Sequence, residues 1–237
     1  MAKTTRNDIE MFGEAKQSET RLTGEDASSA VAAALEEDIV LGRLQPRERL
    51  IEEDLAARFK VKRHLVRQAI MDLERLGLVE RVRNRGAVVR FYSAQEVEDI
   101  NAVRDVLEGH AASLVALPVP DDELANLSEI EARHVAAIDA GLHRETFRTN
   151  LEFHRHLFGL CGNPALIAAI DTHAQKSHAY RSILASDRSY QDWAAGAHLA
   201  MIDAMRRGDR DTLVRLCREH LIPAKNRYIE TWNSRFM

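Results

Sequence analysis

The sequence predicts a mainly α-helical protein in two parts: three helices and a β-hairpin near the N-terminus, then an all-α helical bundle. Two observations support this fold class. Between residues 27 and 92, apolar stripes at helical spacing are followed by two short runs rich in β-branched residues. Beyond Tyr92, apolar residues recur only at helical spacing. No internal repeat accompanies these helices, so a bundle is the simplest arrangement for them.

Composition and charge restrict the class of protein. The 237 residues include 45% hydrophobic and 30% charged residues, as in ordinary globular proteins. The apolar runs are too short to cross a bilayer and the first thirty residues mix charges, so we expect no membrane segment, no signal peptide and a cytoplasmic location. Cys161 and Cys217 lack CxxC spacing and are expected to be reduced.

The net charge is −4, but its distribution is uneven. Residues 60–90 hold nine Lys or Arg against three Asp or Glu, a local balance of +6. A basic stretch on an otherwise acidic chain is typical of a confined nucleic-acid footprint.

The N-terminal elements follow in order. Residues 1–26 are polar without apolar periodicity and are predicted to be a mobile arm. Helices are predicted at 27–41, 52–59 and 62–76, the last ended by Gly77. Strands at 78–82 and 87–91 then form a hairpin. Three helices and a hairpin make a winged helix-turn-helix, here spanning residues 27–92.

The second part is predicted to be helical throughout 93–237. Ser93 and Glu96 form a capping box that starts a helix reaching about residue 117. Further helices are predicted at about 121–140, 144–160, 165–185, 190–207 and 209–221. The last fifteen residues fit either another helix or a tail.

The third helix opens with a cluster of cations. Lys62, Arg63 and His64 lie in its first turn, and Arg67 follows Arg63 by four residues, so both arginines project from one face. Such a helix suits a groove lined with phosphates and base edges.

Several residues at fixed spacings indicate a resemblance to a known family. Residues 35–89 carry Gly42-Arg43-Leu44-x-Pro46, Leu50-x-Glu52-x-x-Leu55-Ala56, Val61-x-Arg63-x-x-Val66-Arg67-x-Ala69, Leu73-x-x-x-Gly77-Leu78 and Arg85-Gly86-Ala87-x-Val89. This part resembles the GntR family of bacterial transcription regulators. The helical part resembles the FCD effector-binding domain of its FadR-type subfamily, through Arg104-x-x-Leu107-Glu108, Asn150-x-x-Phe153-His154, Asn163-Pro164, His198, Gly208-Asp209 and His220.

The resemblance implies how DNA would be bound. In that family the third helix lies in the major groove and the wing tip reaches the minor groove. Arg63, His64 and Arg67 would then contact DNA from the helix, and Arg85 with Gly86 from the wing. An arginine fork can bind O6 and N7 of guanine with two hydrogen bonds.

Two lysines depart from the family pattern. The family usually has glycine at the position of Lys60, and serine or threonine, the helix N-cap, at the position of Lys62. Lysine cannot accept the unpaired amide hydrogens of a helix start, so the second exchange should cost about 1 kcal/mol. We predict that a DNA phosphate contacts Lys62 and offsets this loss.

The helical part contains a possible metal site. Asn150 and His154 share a helix face, although this spacing alone is more often a capped or surface pair. The resemblance implies that Asn150, His154, His198 and His220 bind a divalent metal, Zn²⁺ or else Ni²⁺ or Mn²⁺. Where Asn150 stands the family often has aspartate, so we expect a weaker metal site with a stronger pull on anions. The resemblance also places Arg104 near the effector, which we predict to be a small organic acid held between the metal and Arg104.

Three functions remain open. The first is an effector-responsive DNA-binding regulator, a repressor rather than an activator, acting as a homodimer on a pseudo-palindromic operator. The alternative is a metal-dependent hydrolase built on the three histidines, which is not favoured because no HExxH-type glutamate adjoins them. The third, a winged helix used only for protein contacts, is disfavoured by the exposed cations. Histidines at 110, 134, 143, 156, 173 and 178 are predicted to be surface or packing residues.

Overall fold

The computed structural model describes residues 24–236. The helices and strands are α1 (Gly24–Val40), α2 (Glu52–Phe59), α3 (Arg63–Arg75), β1 (Val79–Val82), β2 (Gly86–Val89), α4 (Ala94–Leu114), α5 (Asp121–Asp139), α6 (His143–Gly159), α7 (Pro164–Arg181), α8 (Arg188–Arg207), α9 (Arg210–Glu219) and α10 (Ile222–Phe236). A 3₁₀ turn at Ser182–Leu184 separates α7 from α8. The predicted fold class, a winged helix-turn-helix followed by an all-α bundle, is confirmed.

The winged part is built on the packing of α1 against α3. Leu35, Ile70 and Leu73 are fully buried there, as the apolar stripes predicted. The two strands pair antiparallel, with Val79 opposite Val89 and Val82 opposite Gly86. The helix α3 therefore lies against a short wing, with its basic face left outside.

Position 77, just after α3, requires glycine for two reasons. Its φ is +77°, a conformation that costs glycine little. The hydroxyl of Tyr92 donates to its carbonyl oxygen at 2.7 Å, and a Cβ at this position would lie 2.7 Å from the same hydroxyl. Any larger residue here would disturb the junction between wing and bundle.

The helices of the bundle enclose a second core. Helix α5 packs against α6 and α8, and α4 packs against α7 and α9. Phe153, Leu157, Met201 and Leu213 are fully buried between them. The predicted capping box at the start of α4 is present, with Glu96 N–H donating to Ser93 Oγ at 3.2 Å. This bundle brings α6, α8 and the end of α9 together around one buried point.

The structure gives the bounds of the first and last helices. Of the last fifteen residues, left open from sequence, those from 223 to 236 lie within helix α10, where the hydroxyl of Tyr228 donates to the Tyr92 carbonyl at 2.7 Å. Helix α1 begins at Gly24, three residues before the predicted start. The predicted mobile arm otherwise lies outside the described residues. In the described part, no helix combines the length and apolarity that a membrane span requires.

Candidate DNA-binding surface and buried histidine cluster

The amphipathic sequence of α3 decides which side chains face outward. Val66, Ala69, Ile70 and Leu73 are buried on one side. The predicted contact residues Lys62, Arg63, His64, Arg67, Arg85 and Gly86 are all exposed. The fold therefore leaves the whole predicted set accessible to a partner.

Glu52 on α2 forms ion pairs with the two arginines of α3. Its carboxylate accepts from Arg67 Nε at 3.2 Å and from a terminal nitrogen of Arg67 at 2.9 Å, while Arg63 lies 3.9 Å away. The Arg67 hydrogen bond lowers the pKa of Glu52. The sequence identifies Glu52 only as part of the family pattern. Its role as a partner of the two arginines was not predicted.

The two lysines that depart from the family pattern occupy special backbone positions. Lys62 is the N-cap of α3, and its side chain makes no capping hydrogen bond, as expected. Lys60 is the C-cap of α2 with φ +53° and ψ +41°, the left-handed region. Glycine adopts that conformation at lower cost, which explains why it is usual there. Lysine is therefore unfavourable at both positions in the free protein.

The wing tip also contains left-handed residues. Asn84 has φ +65° and Gly86 has φ +77°. A Cβ built on Gly86 would meet no atom within 4 Å. The glycine is thus required here by its backbone angle, since the space beside it is open.

The three predicted histidines converge from three different helices. His154 lies in α6, His198 in α8, and His220 directly follows α9. One ring nitrogen from each lies within 4.8 Å of the others. The ring centroids are 5.0 Å apart for His154 and His198, and 4.9 Å for each of the other two pairs. The cluster is a compact, nearly equilateral triangle of imidazoles.

Aromatic neighbours fix the orientation of these rings. Phe153 stacks on His198 at 4.1 Å between centroids, and Trp193 stacks on His220 at 5.2 Å. His154 stacks on Phe158 at 6.0 Å. Packing of this kind holds the imidazoles without using their nitrogens.

Burial keeps the cluster uncharged. It lowers the pKa of His198 to about 3, with Arg181 acting in the same direction. Burial and the neighbouring histidines lower the pKa of His154 and His220 well below the usual value. Neutral imidazole is the form that binds metal.

The unpaired nitrogens give a test of whether a metal fits. Buried and without hydrogen-bond partners are Nδ1 of His154, Nε2 of His198 and both ring nitrogens of His220. Buried polar atoms are seldom left unpaired in native proteins. Three neutral imidazoles are also a donor set that Zn²⁺ and its neighbours accept. The residues present therefore fit a divalent metal.

Helix α5 supplies a neighbour that sequence reasoning missed. His198 Nδ1 lies 2.8 Å from Glu131 Oε2, and both side chains are at most 1% exposed. Burial raises the pKa of Glu131 to about 7, against the opposing effect of His134. No pattern in the sequence connects residues so far apart.

His134 corrects the expectation for the remaining histidines. It was predicted as a surface or packing residue without a constellation. It is 2% exposed, its ring lies 5.4 Å from that of His198, and it forms a second possible metal-binding group with Glu131 and His198. Burial lowers its pKa to about 4. Its spacing of three residues from Glu131 was the available signal.

Asn150 and Arg104 line different cavities. Asn150 lines a cavity of about 60 Å³ that is also bordered by His134, His178 and Arg181. Arg104 lines another of about 40 Å³ with His154, His178 and Arg181. Both cavities are small. His178 and Arg181 border both, which the sequence had not indicated.

Arg104 is not free in this structure. It is buried, and its Nε donates to Glu108 at 2.7 Å. Glu108 stands four residues later in α4, so helical spacing could have predicted this pair. An acid approaching Arg104 must therefore use its other nitrogens or displace Glu108.

Three successive carboxylates of α1 reach both parts of the molecule. The contacts are Glu36 to His178, Glu37 to Arg144 and Arg148, and Asp38 to Arg43 and Arg58. The Glu36–His178 distance is 2.7 Å, and Val40 and Leu41 at the end of α1 line the larger cavity. The helix that packs on α3 is thus also a wall of the histidine region.

The chain thus combines a winged helix with exposed cations and a helical bundle that encloses a histidine triad. Comparison with known families is more specific. Residues 27–89 match the bacterial regulatory proteins of the gntR family, and residues 99–222 match the FCD domain. The FCD match covers more than half of the 237 residues. The chain therefore belongs to the GntR family of bacterial regulatory proteins and carries an FCD domain.

Individual relatives agree with this assignment. The chain is 32% identical over 128 residues to the Nta operon transcriptional regulator of Aminobacter aminovorans, covering 53% of this chain and 60% of that protein. It is 24% identical over 187 residues to the HTH-type transcriptional repressor RspR of Escherichia coli K12, covering 79% of this chain and 82% of that protein. A GntR protein of Rhodococcus sp. RHA1 shares the fold, with a TM-score of 0.72 and 20% identity over 86% of this chain and 97% of that one.

Proposed function

We propose that this protein is an effector-responsive DNA-binding transcription regulator, acting as a homodimeric repressor in the bacterial cytoplasm. Residues 27–92 would bind DNA, and residues 93–237 would bind the effector and form the dimer. The observation that carries the proposal is the exposed basic face of α3 joined to the buried histidine triad through α1. RspR, which is named a repressor, aligns over both parts.

DNA recognition would use the exposed cations of α3 and the wing. Arg63, His64 and Arg67 would lie in the major groove, with Arg85 and Gly86 at the minor groove and Lys62 on phosphate. Arg67 would have to leave Glu52 or use its other terminal nitrogen, since Glu52 accepts from Nε and one terminal nitrogen of its guanidinium. A two-fold dimer would read two half-sites about one helical turn apart.

The metal would be held by His154, His198 and His220, with Asn150 as the fourth candidate. A divalent ion, Zn²⁺ or else Ni²⁺ or Mn²⁺, would supply a positive centre for an anionic effector. The effector would be a small organic acid near Arg104. His178 and Arg181 are additional candidates because they border both cavities.

The small cavities suggest how binding could be transmitted. Both cavities are small for an organic acid, so we expect α6, α7 or α8 to shift when one binds. His178 of α7 contacts Glu36 of α1, and Val40 of α1 lines the cavity itself, with Leu41 directly after the helix. A shift there would move α1 and the α3 packed on it, changing the spacing of the two DNA-binding helices in a dimer.

A DNA selection with purified full-length protein tests the proposal. It is repeated with Zn²⁺, with a chelator, and with a panel of small organic acids. We expect enrichment of a pseudo-palindromic sequence and a change in its affinity with one acid that requires metal. Failure to enrich any DNA would contradict the proposal that the protein is a DNA-binding regulator. DNA binding whose affinity does not change with metal or with any acid would contradict only the proposed effector.

The hydrolase alternative gains no support from the nearby glutamates. Glu152 forms an ion pair with Arg133 at 2.5 Å and Glu219 with Arg215 at 2.8 Å, all at the surface. Glu131 is close, but its carboxylate is engaged by His198 in the interior. The family assignment likewise favours regulation over catalysis.

A further inference from the structure

The histidine triad lacks a negative ligand of its own. Asn150 is neutral, and the three imidazoles are neutral, so a divalent ion bound by these four side chains would keep its full charge inside the bundle. Burying an uncompensated charge is strongly unfavourable. Some other group should balance it if this chain binds metal.

Glu131 has the position and chemistry for that role. It is 1% exposed, one of its oxygens lies 2.8 Å from His198 Nδ1, and its other oxygen is buried without a partner. A ring nitrogen of His134 also lies within 4.8 Å of its carboxylate, and His134 Nδ1 is 2.9 Å from Thr149 Oγ1. A buried carboxylate paired only with neutral groups is itself costly, and a cation beyond His198 would relieve it.

The hydrogen bond also sets which nitrogen of His198 faces the triad. An ionised carboxylate can only accept, so when Glu131 is charged, His198 carries its proton on Nδ1 and presents a lone pair at Nε2. That Nε2 is buried without a partner. Outer carboxylates that hold ligand histidines in this way raise their basicity and orient their rings.

We infer that Glu131 is a positioning residue of the metal site, which orients His198 and supplies from outside the ligand shell the negative charge that Asn150 does not provide. This inference rests on the proposed metal site. It adds that the charge of the site comes from α5, a helix that contributes no ligand to the triad. Glu131 and Asn150 should therefore substitute for one another as the source of charge.

Zn²⁺ affinity of the full-length protein, measured by competition with a chelating dye, tests this in five variants. Glu131→Gln keeps the shape and removes the charge, and should weaken Zn²⁺ binding about 10- to 100-fold. Glu131→Asp keeps the charge and should weaken it less. The matched control Glu129→Gln removes an exposed charge from the same helix and should change affinity by less than about twofold. Melting of the chelator-treated variants checks that each is folded.

The decisive comparison uses Asn150→Asp alone and together with Glu131→Gln. We expect Asn150→Asp to tighten Zn²⁺ binding more in the Glu131→Gln background than in the wild type, because the two carboxylates replace each other. Equal tightening in both backgrounds, or a Glu131→Gln affinity equal to that of Glu129→Gln, overturns the inference. If the wild type itself binds no Zn²⁺, Ni²⁺ or Mn²⁺, the proposed metal site fails, and this inference fails with it.

Discussion

The basic face of α3 and the histidine cluster use similar residue types in opposite surroundings. On α3, arginines and a histidine stand in water, and their nearest partner, Glu52, is itself only partly buried. In the bundle, His198 and His220 are buried and His154 is half-buried, and all three rings stack on aromatic side chains. Exposure leaves the first group accessible to a partner. Burial favours the neutral form of the second group, and neutral imidazole is the form that can bind a metal.

A surface site of this kind can be recognised from sequence, whereas the buried site requires the tertiary structure. A surface site depends on charge and spacing along one helix, both of which are local. The buried site depends on three helices meeting, and its ionisation depends on the neighbours that the fold places around it. Substitutions at the two sites should therefore have separable effects, and the expected results follow from the largest to the smallest.

Removing a triad ligand should have the largest effect. His220→Ala takes away one of three converging imidazoles, so Zn²⁺ affinity should fall by more than about 100-fold. Affinity of the metal-free protein for DNA should stay within about twofold, because α3 is untouched. Dye competition and a DNA-binding titration measure the two quantities. The control is His110→Ala, an exposed histidine on α4, and an equal loss of Zn²⁺ affinity in it would contradict the site.

Acid should destabilise the chelator-treated protein through the buried histidines. In the unfolded chain histidine titrates near pH 6.5, whereas burial lowers the pKa of His198 to about 3 and of His134 to about 4. Below about pH 6.5 the unfolded state thus binds more protons, and the free energy of unfolding should fall by a few kcal/mol as the pH drops towards 3.

Glu131 opposes this trend over part of the range. The pKa of Glu131 is raised to about 7 in the folded state. Between about pH 7 and 4.5, Glu131 therefore binds more protons in the folded state than in the unfolded state. Its stabilising contribution to the free energy of unfolding grows as the pH falls through this range. Urea unfolding at a series of pH values measures the balance. Stability that is flat or rises from pH 6.5 to 4 would mean that the histidines are not buried as described.

On the exposed side, Arg67→Ala should weaken DNA binding by about 1 to 3 kcal/mol, the range for loss of a two-pronged base contact. Zn²⁺ affinity should not change. Fluorescence anisotropy with the selected operator gives the DNA affinity. Arg75→Ala is the matched control, because Arg75 is equally exposed in the last turn of α3; if both variants lose the same affinity, Arg67 acts only through general charge.

The smallest effect is expected from Lys62→Ser. Serine would supply the capping hydrogen bond that Lys62 does not make, raising the free energy of unfolding by about 1 kcal/mol. Loss of a phosphate contact should reduce the slope of log affinity against log salt by about one unit. Chemical denaturation and DNA titrations at several salt concentrations measure both. An unchanged slope would remove Lys62 from the phosphate contacts.

Much of this molecule follows from the sequence alone. Helical periodicity, the capping box at Ser93 and the glycine after α3 determine the elements, because each depends on neighbours within one or two turns. Family patterns add the three histidines and the exposed arginines. Arg104 shows a missed local signal, since Glu108 stands one helical turn away and engages it.

Tertiary structure decided the rest. The pairs Glu131–His198 and Glu36–His178 join residues 67 and 142 positions apart, and no local rule connects such residues. It also decided charge, because the pKa of each histidine depends on how deeply the surrounding helices bury it. Sequence therefore determined which side chains are available, while packing determined which of them stay neutral, which are held by a carboxylate, and which face one another.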